Sequence, residues 1–198
     1  MNRKKLIVIS GLSGTGKTTL GRYLSEELNF PFINKDSLKE IMFDKIGWKD
    51  REWSQKLGAA SYGAMYYLAE ELIKCGCSVI VESNFRAEID GEKLRNLGGR
   101  YGCQIIEVLC WAEGGALFER FKKRAESGER HPGHVDHLCY EEQEKRLLVG
   151  KAQSLRVGRV IELNTSDWEK VDYKGVLRKV RQELGIIGNV SRTKDKKN

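Results

Sequence analysis

The chain has 198 residues, of which 40% are hydrophobic and 32% charged, the composition of a globular domain large enough to bury a substantial core. Its five cysteines are odd in number and scattered, which disfavours a disulfide framework, and no apolar run approaches the roughly 18 residues of a membrane span. We therefore expect a cytoplasmic protein without a membrane partner. The net charge is +7, and residues 189–198 contribute four basic residues against one acidic residue, so the body carries +4.

Five apolar, β-rich runs alternate with segments of helical periodicity. The runs lie at 5–10, 30–34, 78–82, 104–110 and 159–163. Helical spacing is clear at Leu20, Leu24 and Leu28, which form one apolar stripe. This alternation predicts an α/β fold, with a mostly parallel sheet covered on both faces. We expect one domain over residues 1–188 and a basic, disordered tail over 189–198.

The first predicted strand runs into a glycine-rich turn. Residues 11–18, GLSGTGKT, fit the pattern G-x-x-x-x-G-K-[ST] at every fixed position. Glycines let successive N–H groups converge on one anion, and a helix that begins near Gly16 adds its dipole. Lys17 would reach the β- and γ-phosphates, and the Thr18 hydroxyl would ligate Mg²⁺. The predicted nucleotide-binding residues of this loop are Gly11, Ser13, Gly14, Thr15, Gly16, Lys17, Thr18 and Thr19.

Asp36 directly follows the second predicted strand, at the edge of the phosphate site. A kinase needs a carboxylate there to orient an acceptor hydroxyl and take its proton during in-line transfer. The alternative is structural, because Asp36 or Ser37 could cap a helix over 38–43. Both interpretations remain open from the sequence alone.

The third predicted strand ends in an acidic residue. The run 79–84, VIVESN, places Glu82 after three apolar residues. In a P-loop fold the strand beside the loop strand directs a carboxylate toward the waters of Mg²⁺, and Glu82 fits that role. Asn84 could contact the acceptor or a phosphate. The alternative for Glu82 is a strand-terminal acid that faces solvent.

A predicted helix over 117–124 carries Arg120 and Arg124, four residues apart and therefore on one side. Two guanidiniums presented together suit a lid that closes on a triphosphate. One would stack on adenine, and the other would bond the γ-phosphoryl oxygens in the transition state. We therefore predict a lid at about 119–137, with a solvated helix face of Glu–Arg pairs as the alternative.

The three histidines of the chain all lie within seven residues. They are His131, His134 and His137. A zinc site is an alternative here, because Asp136 and Cys139 lie nearby. However, the intervening proline and glycine interrupt any helix that could aim the rings together, so we favour a role in the lid or in acceptor binding.

Together these features resemble the small P-loop kinases of the AAA-type ATP-binding or predicted-kinase family. Relatives of that family include polynucleotide 5′-hydroxyl kinase, chloramphenicol phosphotransferase and the zeta-toxin kinases. The resemblance covers about residues 4–187 and rests on the phosphate loop, the turn at 34–36, the strand at 79–85 and the arginine–histidine segment at 120–134. It implies a P-loop NTPase three-layer sandwich: a five-stranded parallel sheet in the order 2-3-1-4-5, with a helical lid.

The resemblance also implies roles for single residues. In such kinases the acid at the Asp36 position acts as general base, and the arginine at the Arg124 position contacts the transferring phosphoryl group. The sequence departs from polynucleotide kinases at two positions. Those enzymes carry an arginine where Lys39 stands and an aspartate where Glu82 stands.

We therefore predict an ATP- and Mg²⁺-dependent kinase that transfers the γ-phosphoryl group to a hydroxyl of a small molecule. The predicted catalytic residues are Lys17, Asp36, Arg120 and Arg124, with Arg120 also contacting the nucleotide. Thr18 and Glu82 would hold Mg²⁺, the latter through water. The candidate acceptor contacts are Lys39, Asn84, Arg86, Arg130 and His131.

Two other functions remain as alternatives. A polynucleotide 5′-hydroxyl kinase would use Lys35, Lys39, Arg86 and the basic lid, but a body charge of only +4 favours a small acceptor near Trp48, Trp53 and Tyr62. A nucleotide-gated ATPase or binding module would phosphorylate no acceptor. A simple GTPase is disfavoured, because the chain has no Asn-Lys-x-Asp motif.

Overall fold

The computed structural model of the protein describes residues 4–185. They form a five-stranded parallel sheet in the order β2-β3-β1-β4-β5, so the predicted fold class and strand order are confirmed. The strands are β1 (Lys5–Gly11), β2 (Phe32–Asn34), β3 (Val79–Glu82), β4 (Gln104–Trp111) and β5 (Arg159–Asn164). The predicted tail at 189–198 lies outside the described residues, and so does the predicted domain boundary at 188.

Seven α-helices connect and cover these strands within the described part of the chain. They are α1 (Lys17–Leu28), α2 (Lys35–Ile46), α3 (Arg51–Lys74), α4 (Ala87–Tyr101), α5 (Gly114–Glu126), α6 (Tyr140–Leu147) and α7 (Tyr173–Glu183). Short 3₁₀ turns occur at Pro132–His134, Asp136–Leu138 and Trp168–Lys170. None of the helices within residues 4–185 has the length and apolarity needed to traverse a bilayer.

The central strand β1 is buried along its whole length, and its side chains contribute to two hydrophobic cores. Leu6 and Val8 point into a cluster that includes side chains of α3 and α4. Ile7 and Ile9 point into the opposite cluster, with side chains of α1 and α7. This alternation explains the uninterrupted apolar run of β1, because both faces of a parallel sheet are covered by helices.

A third, smaller cluster fixes α5 and α6 over the end of β1. Leu12 of the glycine-rich turn packs there with Leu117 and Phe121 of α5 and with Leu147 of α6. The arginine-bearing helix is therefore attached to the phosphate loop through apolar contacts. The strand register brings the other site elements to the same edge, since Glu82 lies beside both Ile9 and Asn34. Ligands of open α/β sheets bind along this carboxyl edge.

Candidate active site

The glycine-rich turn has the backbone conformation that its composition predicts. Gly11, Gly14 and Gly16 have φ of 137°, 84° and 74°, which residues with a side chain rarely adopt. A Cβ on Gly11 would also overlap the carbonyl oxygen of Cys110 on β4. Helix α1 begins at Lys17, directly after the turn, so its free N–H groups point at the same space. The turn is therefore shaped for an anion.

Lys17 and Thr15 both donate to one carbonyl oxygen inside this turn. Lys17 Nζ lies 2.7 Å and Thr15 Oγ1 2.8 Å from the oxygen of Leu12. The Lys17 ammonium is buried, and this burial lowers its pKa, although the Glu82 carboxylate partly opposes the effect. A phosphate beside Lys17 would restore the stabilisation that the ammonium lost on leaving water.

A cleft of about 430 Å³ opens over the turn and joins residues from five parts of the chain. It is lined by Ser13, Gly14, Gly16, Lys17, Thr18, Thr19, Asp36, Glu82, Ser83, Asn84, Arg120, Arg124, Glu129 and Trp168. The cleft thus brings the predicted base, Asp36, and the predicted metal-binding acid, Glu82, to the predicted phosphate site. The predicted lid arginines, Arg120 and Arg124, face the same site. This convergence was not visible in any single motif.

Glu82 closes β3 and lies against the first turn of α1. Its Oε2 atom accepts from Thr18 Oγ1 at 2.9 Å and also from Asn34 Nδ2. Burial raises the pKa of this carboxyl, whereas Lys17 and the two hydrogen bonds lower it. A threonine hydroxyl and a carboxylate oxygen are hard donors of the kind that Mg²⁺ binds directly or through water, so the donor set fits this ion.

Asn34, rather than Asp36 or Ser37, caps helix α2. Its Oδ1 atom accepts from the main-chain N–H of Ser37 at 2.6 Å, while its Nδ2 donates to Glu82. The capping alternative for Asp36 is therefore wrong. The helix begins at Lys35, three residues earlier than the predicted 38–43 segment, and the carboxylate of Asp36 is free for other contacts.

Asp36 lines the cleft and is paired with two cations. Its Oδ1 lies 2.6 Å from Lys35 Nζ, and its Oδ2 lies 3.2 Å from Arg130 Nη2. Burial alone would raise the pKa of Asp36, but Lys35, Arg130 and the nearby His134 outweigh it and hold the pKa well below its usual range. The carboxylate is therefore ionised at neutral pH and able to accept a hydrogen bond from an acceptor hydroxyl.

The two arginines of α5 contact the phosphate loop in different ways. Arg124 Nη2 donates to Ser13 Oγ at 2.7 Å, and its buried Nε has no hydrogen-bond partner. Burial and the neighbouring Arg130 lower the pKa of Arg124 to about 10. Unpaired buried donors are rare in folded proteins, so this guanidinium has capacity for an anion in the cleft.

Arg120 links the phosphate loop to the loop after β5. Its Nη1 is 3.4 Å from the oxygen of Gly14, and its Nη2 is 2.8 Å and 2.9 Å from the oxygens of Thr165 and Ser166. Its guanidinium also lies 4.0 Å from the ring centre of Trp168. Sequence reasoning missed Trp168, although its position just beyond the carboxyl end of a strand was a usable signal.

Two of the predicted acceptor contacts follow β3. Asn84 lines the cleft, and its carbonyl oxygen accepts from the hydroxyl of Tyr62 at 3.2 Å. Arg86 precedes α4, where its main-chain N–H donates to Asp90 Oδ2 at 2.7 Å. The Arg86 side chain is exposed and does not line the cleft. The structure thus brings Asn84, but not Arg86, to the site.

The other three predicted acceptor contacts lie on or against α2. Lys39 is buried on this helix, and its Nζ donates to Ser54 Oγ at 2.8 Å. Arg130 bonds Asp36, as described above, and His131 stacks on Phe43 with ring centres 5.0 Å apart. Lys39 thus lies on the helix that carries Asp36, and Arg130 and His131 lie against it. None of the three side chains lines the cleft.

The clustered histidines do not form a metal site in residues 4–185, where no group of three or more His, Cys, Asp or Glu side chains is arranged to hold an ion. His131 and His134 instead pack against Phe43 of α2. His137 is exposed. The zinc alternative therefore has no support from the geometry of these residues.

The fold and the site resemble those of known proteins. A family model described as an AAA domain matches residues 6–147. The chain belongs to this family. The crystal structure of a protein from Chloroflexus aurantiacus J-10-fl that is considered a kinase is 36% identical, with a TM-score of 0.82. That alignment covers 91% of this chain and 98% of the other. The resemblance to small P-loop kinases is thus confirmed at the level of family and fold.

Two other relatives of this AAA domain protein are named as kinases of small molecules. A shikimate kinase from Caldanaerobacter subterraneus subsp. tengcongensis is 35% identical over 85 residues, or 39% of this chain and 48% of that enzyme. A gluconokinase from Arabidopsis thaliana is 28% identical over 136 residues, or 64% of this chain and 70% of that enzyme. The chain thus spans about half of the first enzyme's length.

Proposed function

We propose that this AAA domain protein is an ATP- and Mg²⁺-dependent kinase that transfers the γ-phosphoryl group to a hydroxyl of a small molecule. The observation that carries the proposal is that Asp36 shares one cleft with the phosphate loop and with Arg124. A nucleotide-gated ATPase has no need of a half-buried, ionised carboxylate on the acceptor side of the phosphates. An alcohol kinase does, because the acceptor must be oriented and must lose its proton.

Each group of residues in the cleft would have its own role in phosphoryl transfer. The amides of the glycine-rich turn and Lys17 would hold the β- and γ-phosphates, and Arg124 would bond the oxygens of the group in transit. Thr18 and Glu82 would hold Mg²⁺, which when bound neutralises charge on the β- and γ-phosphates. Asp36 would accept the hydrogen bond of the acceptor hydroxyl and align its oxygen with the γ-phosphorus.

The strongly depressed pKa of Asp36 bears on its role. A carboxylate held by Lys35 and Arg130 is a weak base, so it contributes mainly by orienting the hydroxyl. Phosphoryl transfer passes through a loose transition state in which the acceptor proton leaves late, and positioning accounts for most of the catalysis. A carboxylate that is firmly ionised and firmly placed suits this chemistry.

A small acceptor is favoured over a nucleic-acid end for two reasons. Two of the basic residues that a polynucleotide would need, Lys35 and Arg130, are already paired with Asp36. In addition, the named relatives are a shikimate kinase and a gluconokinase, whose acceptors by name are small hydroxylated acids. We therefore propose a hydroxylated small molecule as acceptor.

The test is transfer of labelled γ-phosphate from ATP to a panel of sugars, hydroxy acids, nucleosides, aminoalcohol antibiotics and 5′-hydroxyl oligonucleotides. Asp36→Asn is the diagnostic variant. It should reduce transfer about 10²–10⁴-fold and leave ATP affinity within severalfold, because Asp36 contacts the acceptor and not the nucleotide. ATP affinity is measured separately by calorimetry.

Each outcome of the panel has a defined meaning. Transfer to a small molecule that is lost in Asp36→Asn supports the proposal. Labelling of oligonucleotides alone, with a steep loss as salt rises, would replace the small acceptor by a nucleic-acid end. If wild type and Asp36→Asn hydrolyse ATP equally and label nothing, the protein is a nucleotide-gated module and the proposal is wrong.

A further inference from the structure

Helix α2 carries three carboxylates spaced four residues apart, and each one meets a basic side chain from residues 130–134. Arg130 Nη2 lies 3.2 Å from Asp36 Oδ2. His134 Nε2 lies 2.9 Å from Glu40 Oε1, and His131 Nε2 lies 3.2 Å from Asp44 Oδ1. Residues i, i+4 and i+8 share one face of a helix, so residues 130–134 lie along that face. We call residues 130–134 the basic strap.

Packing fixes the register of the basic strap on α2. The Cα of Gly133 sits so close to Phe43 that a Cβ would lie 2.7 Å from the ring. His131 stacks on the same ring, and His134 meets its edge with ring centres 5.4 Å apart. The next residue, Val135, is buried with φ of 48°, a left-handed conformation that β-branched residues rarely adopt.

The hydrogen-bond roles at His134 follow from its two neighbours. Arg130 Nη2 lies 3.0 Å from His134 Nδ1, and a guanidinium can only donate. Nδ1 therefore accepts, and the neutral ring carries its proton on Nε2, which it donates to Glu40. His134 is only 6% exposed, so the surrounding protein limits replacement of either partner by water. Glu40 thereby selects the tautomer that can hold Arg130.

We infer that Glu40 and His134 are positioning residues for Asp36, acting through Arg130; the inference rests on the proposed function. Glu40 orients His134, His134 accepts from Arg130, and Arg130 holds the carboxylate of Asp36. Asp136 supports the same guanidinium, since its Oδ2 lies 3.0 Å from Arg130 Nε. Neither Glu40 nor His134 lines the cleft, so neither touches the reacting atoms.

We call the chain of contacts from Glu40 through His134 and Arg130 to Asp36 the relay. The relay should affect turnover and not nucleotide binding. Removal of the His134 ring would remove the nitrogen that accepts a hydrogen bond from Arg130. The Arg130 guanidinium, and the Asp36 carboxylate that it binds, would then be held less firmly in position. Misplacement of a catalytic group by about 1 Å costs roughly 10²-fold in rate. We therefore expect His134→Ala to lower kcat about 10–100-fold while the KM for ATP stays within severalfold. The matched control is His137→Ala, because His137 is exposed on the same segment.

Glu40 offers a second, conservative pair of variants. Glu40→Gln keeps an oxygen that can accept from His134 Nε2, whereas Glu40→Ala removes it. We expect the glutamine variant to retain most of the activity and the alanine variant to resemble His134→Ala. This pair also keeps the inference testable if His134→Ala does not fold.

The decisive readout does not depend on an acceptor. As the pH is lowered, carboxyl NMR should detect protonation of Asp36 at a higher pH in His134→Ala and in Glu40→Ala than in wild type, because an Arg130 that is less fixed stabilises the carboxylate less and the pKa of Asp36 rises. His137→Ala and Glu40→Gln should match wild type. If the pKa moves in this pattern but nothing is phosphorylated, the proposed function fails and the relay stands. If the Asp36 pKa and kcat are the same in His134→Ala and His137→Ala, or if Glu40→Gln behaves like Glu40→Ala, the inference is wrong.

Discussion

Replacement of Lys39 by methionine should stabilise the folded protein at neutral pH. Lys39 is only 8% exposed, its Nζ bonds Ser54 Oγ, and no ion pair to it forms among the described residues. Burial, reinforced by the Lys35 charge, lowers the pKa of Lys39 from 10.5 to about 8. A charged ammonium is therefore kept in an environment that disfavours it.

The magnitude follows from that pKa. A lowering from 10.5 to about 8 corresponds to roughly 3 kcal/mol of lost stability while the ammonium is charged. The hydrogen bond to Ser54 offsets about 1 kcal/mol of that loss. The free energy of unfolding of Lys39→Met should therefore exceed that of wild type by up to about 2 kcal/mol at pH 7. For a chain of this length that gain raises Tm by about 4–8 °C.

The stability difference between Lys39→Met and wild type should depend on pH. Below pH 8 Lys39 is charged in both the folded and the unfolded protein, so the full penalty is present. Between pH 8 and 10.5 the folded state holds fewer protons than the unfolded state, and the stability of wild type rises with pH. The advantage of Lys39→Met should therefore shrink across this interval.

Urea denaturation at pH 7 and at about pH 10 measures both free energies of unfolding. Ser54→Ala is the control, because it removes the hydrogen bond and keeps the charge; it should be less stable than wild type at pH 7. If Lys39→Met is less stable than wild type at pH 7, or if the difference does not change with pH, the reasoning fails. A stable Lys39→Met that no longer transfers phosphate would indicate that this lysine is retained to bind the acceptor.

Two further predictions concern the nucleotide and the metal. Trp168 lines the cleft beside Arg120, and we expect the base of ATP to stack on its ring. Trp168→Leu should therefore weaken ATP binding about 5–150-fold, because stacking on a base contributes about 1–3 kcal/mol. Binding of inorganic tripolyphosphate, which has no base, should not change; calorimetry with both ligands checks this, and equal weakening of the two would show that Trp168 supports only the loop. Glu82→Gln should raise the Mg²⁺ concentration needed for half-maximal turnover, since it removes the charge beside Thr18. Because the pKa of Glu82 is raised, the Mg²⁺ concentration that wild type needs should also increase as pH falls from neutral. If neither Glu82→Gln nor a lower pH changes the Mg²⁺ concentration for half-maximal turnover, the assignment of Glu82 to the metal is wrong.

The sequence was most informative where a structure is encoded by neighbouring residues. The glycine-rich turn combines positive φ at Gly14 and Gly16 with a helix that starts at Lys17, and all of these features lie within a few positions. The apolar strands were equally clear, because a run such as Leu6–Ile9 is buried on both faces. Their ends shifted by only one or two residues from the predicted ranges.

Features that depend on tertiary contacts were less accessible. Asn34 caps α2 because its amide can accept from Ser37 and donate to Glu82 at once, and the second partner comes from another strand. Asp36 and Ser37 are as suitable for a cap as Asn34 by residue type, so the sequence alone offered Asp36 or Ser37 as the cap and did not single out Asn34. Recognising the cap required knowing that β2 and β3 are neighbours.

The partners of the basic strap show the same limit. The spacing of Asp36, Glu40 and Asp44 on one helix face can be read from the sequence, and so can the cluster of basic residues at 130–134. Nothing local pairs them, because Arg130 is 94 positions from Asp36. Sequence reasoning therefore assigned Arg130 and His131 to acceptor binding, which stays a prediction, while the structure places both against α2.

The proposed function requires that the glycine-rich turn holds a triphosphate whose terminal group faces Asp36. A crystal structure with Mg²⁺ and a non-hydrolysable ATP analogue tests it most directly. We expect the β- and γ-phosphates to lie within hydrogen-bond distance of the turn amides and Lys17, with Asp36 directed at the open side of the γ-phosphate. An analogue bound elsewhere, or an Asp36 carboxylate turned away from the γ-phosphate, would contradict it.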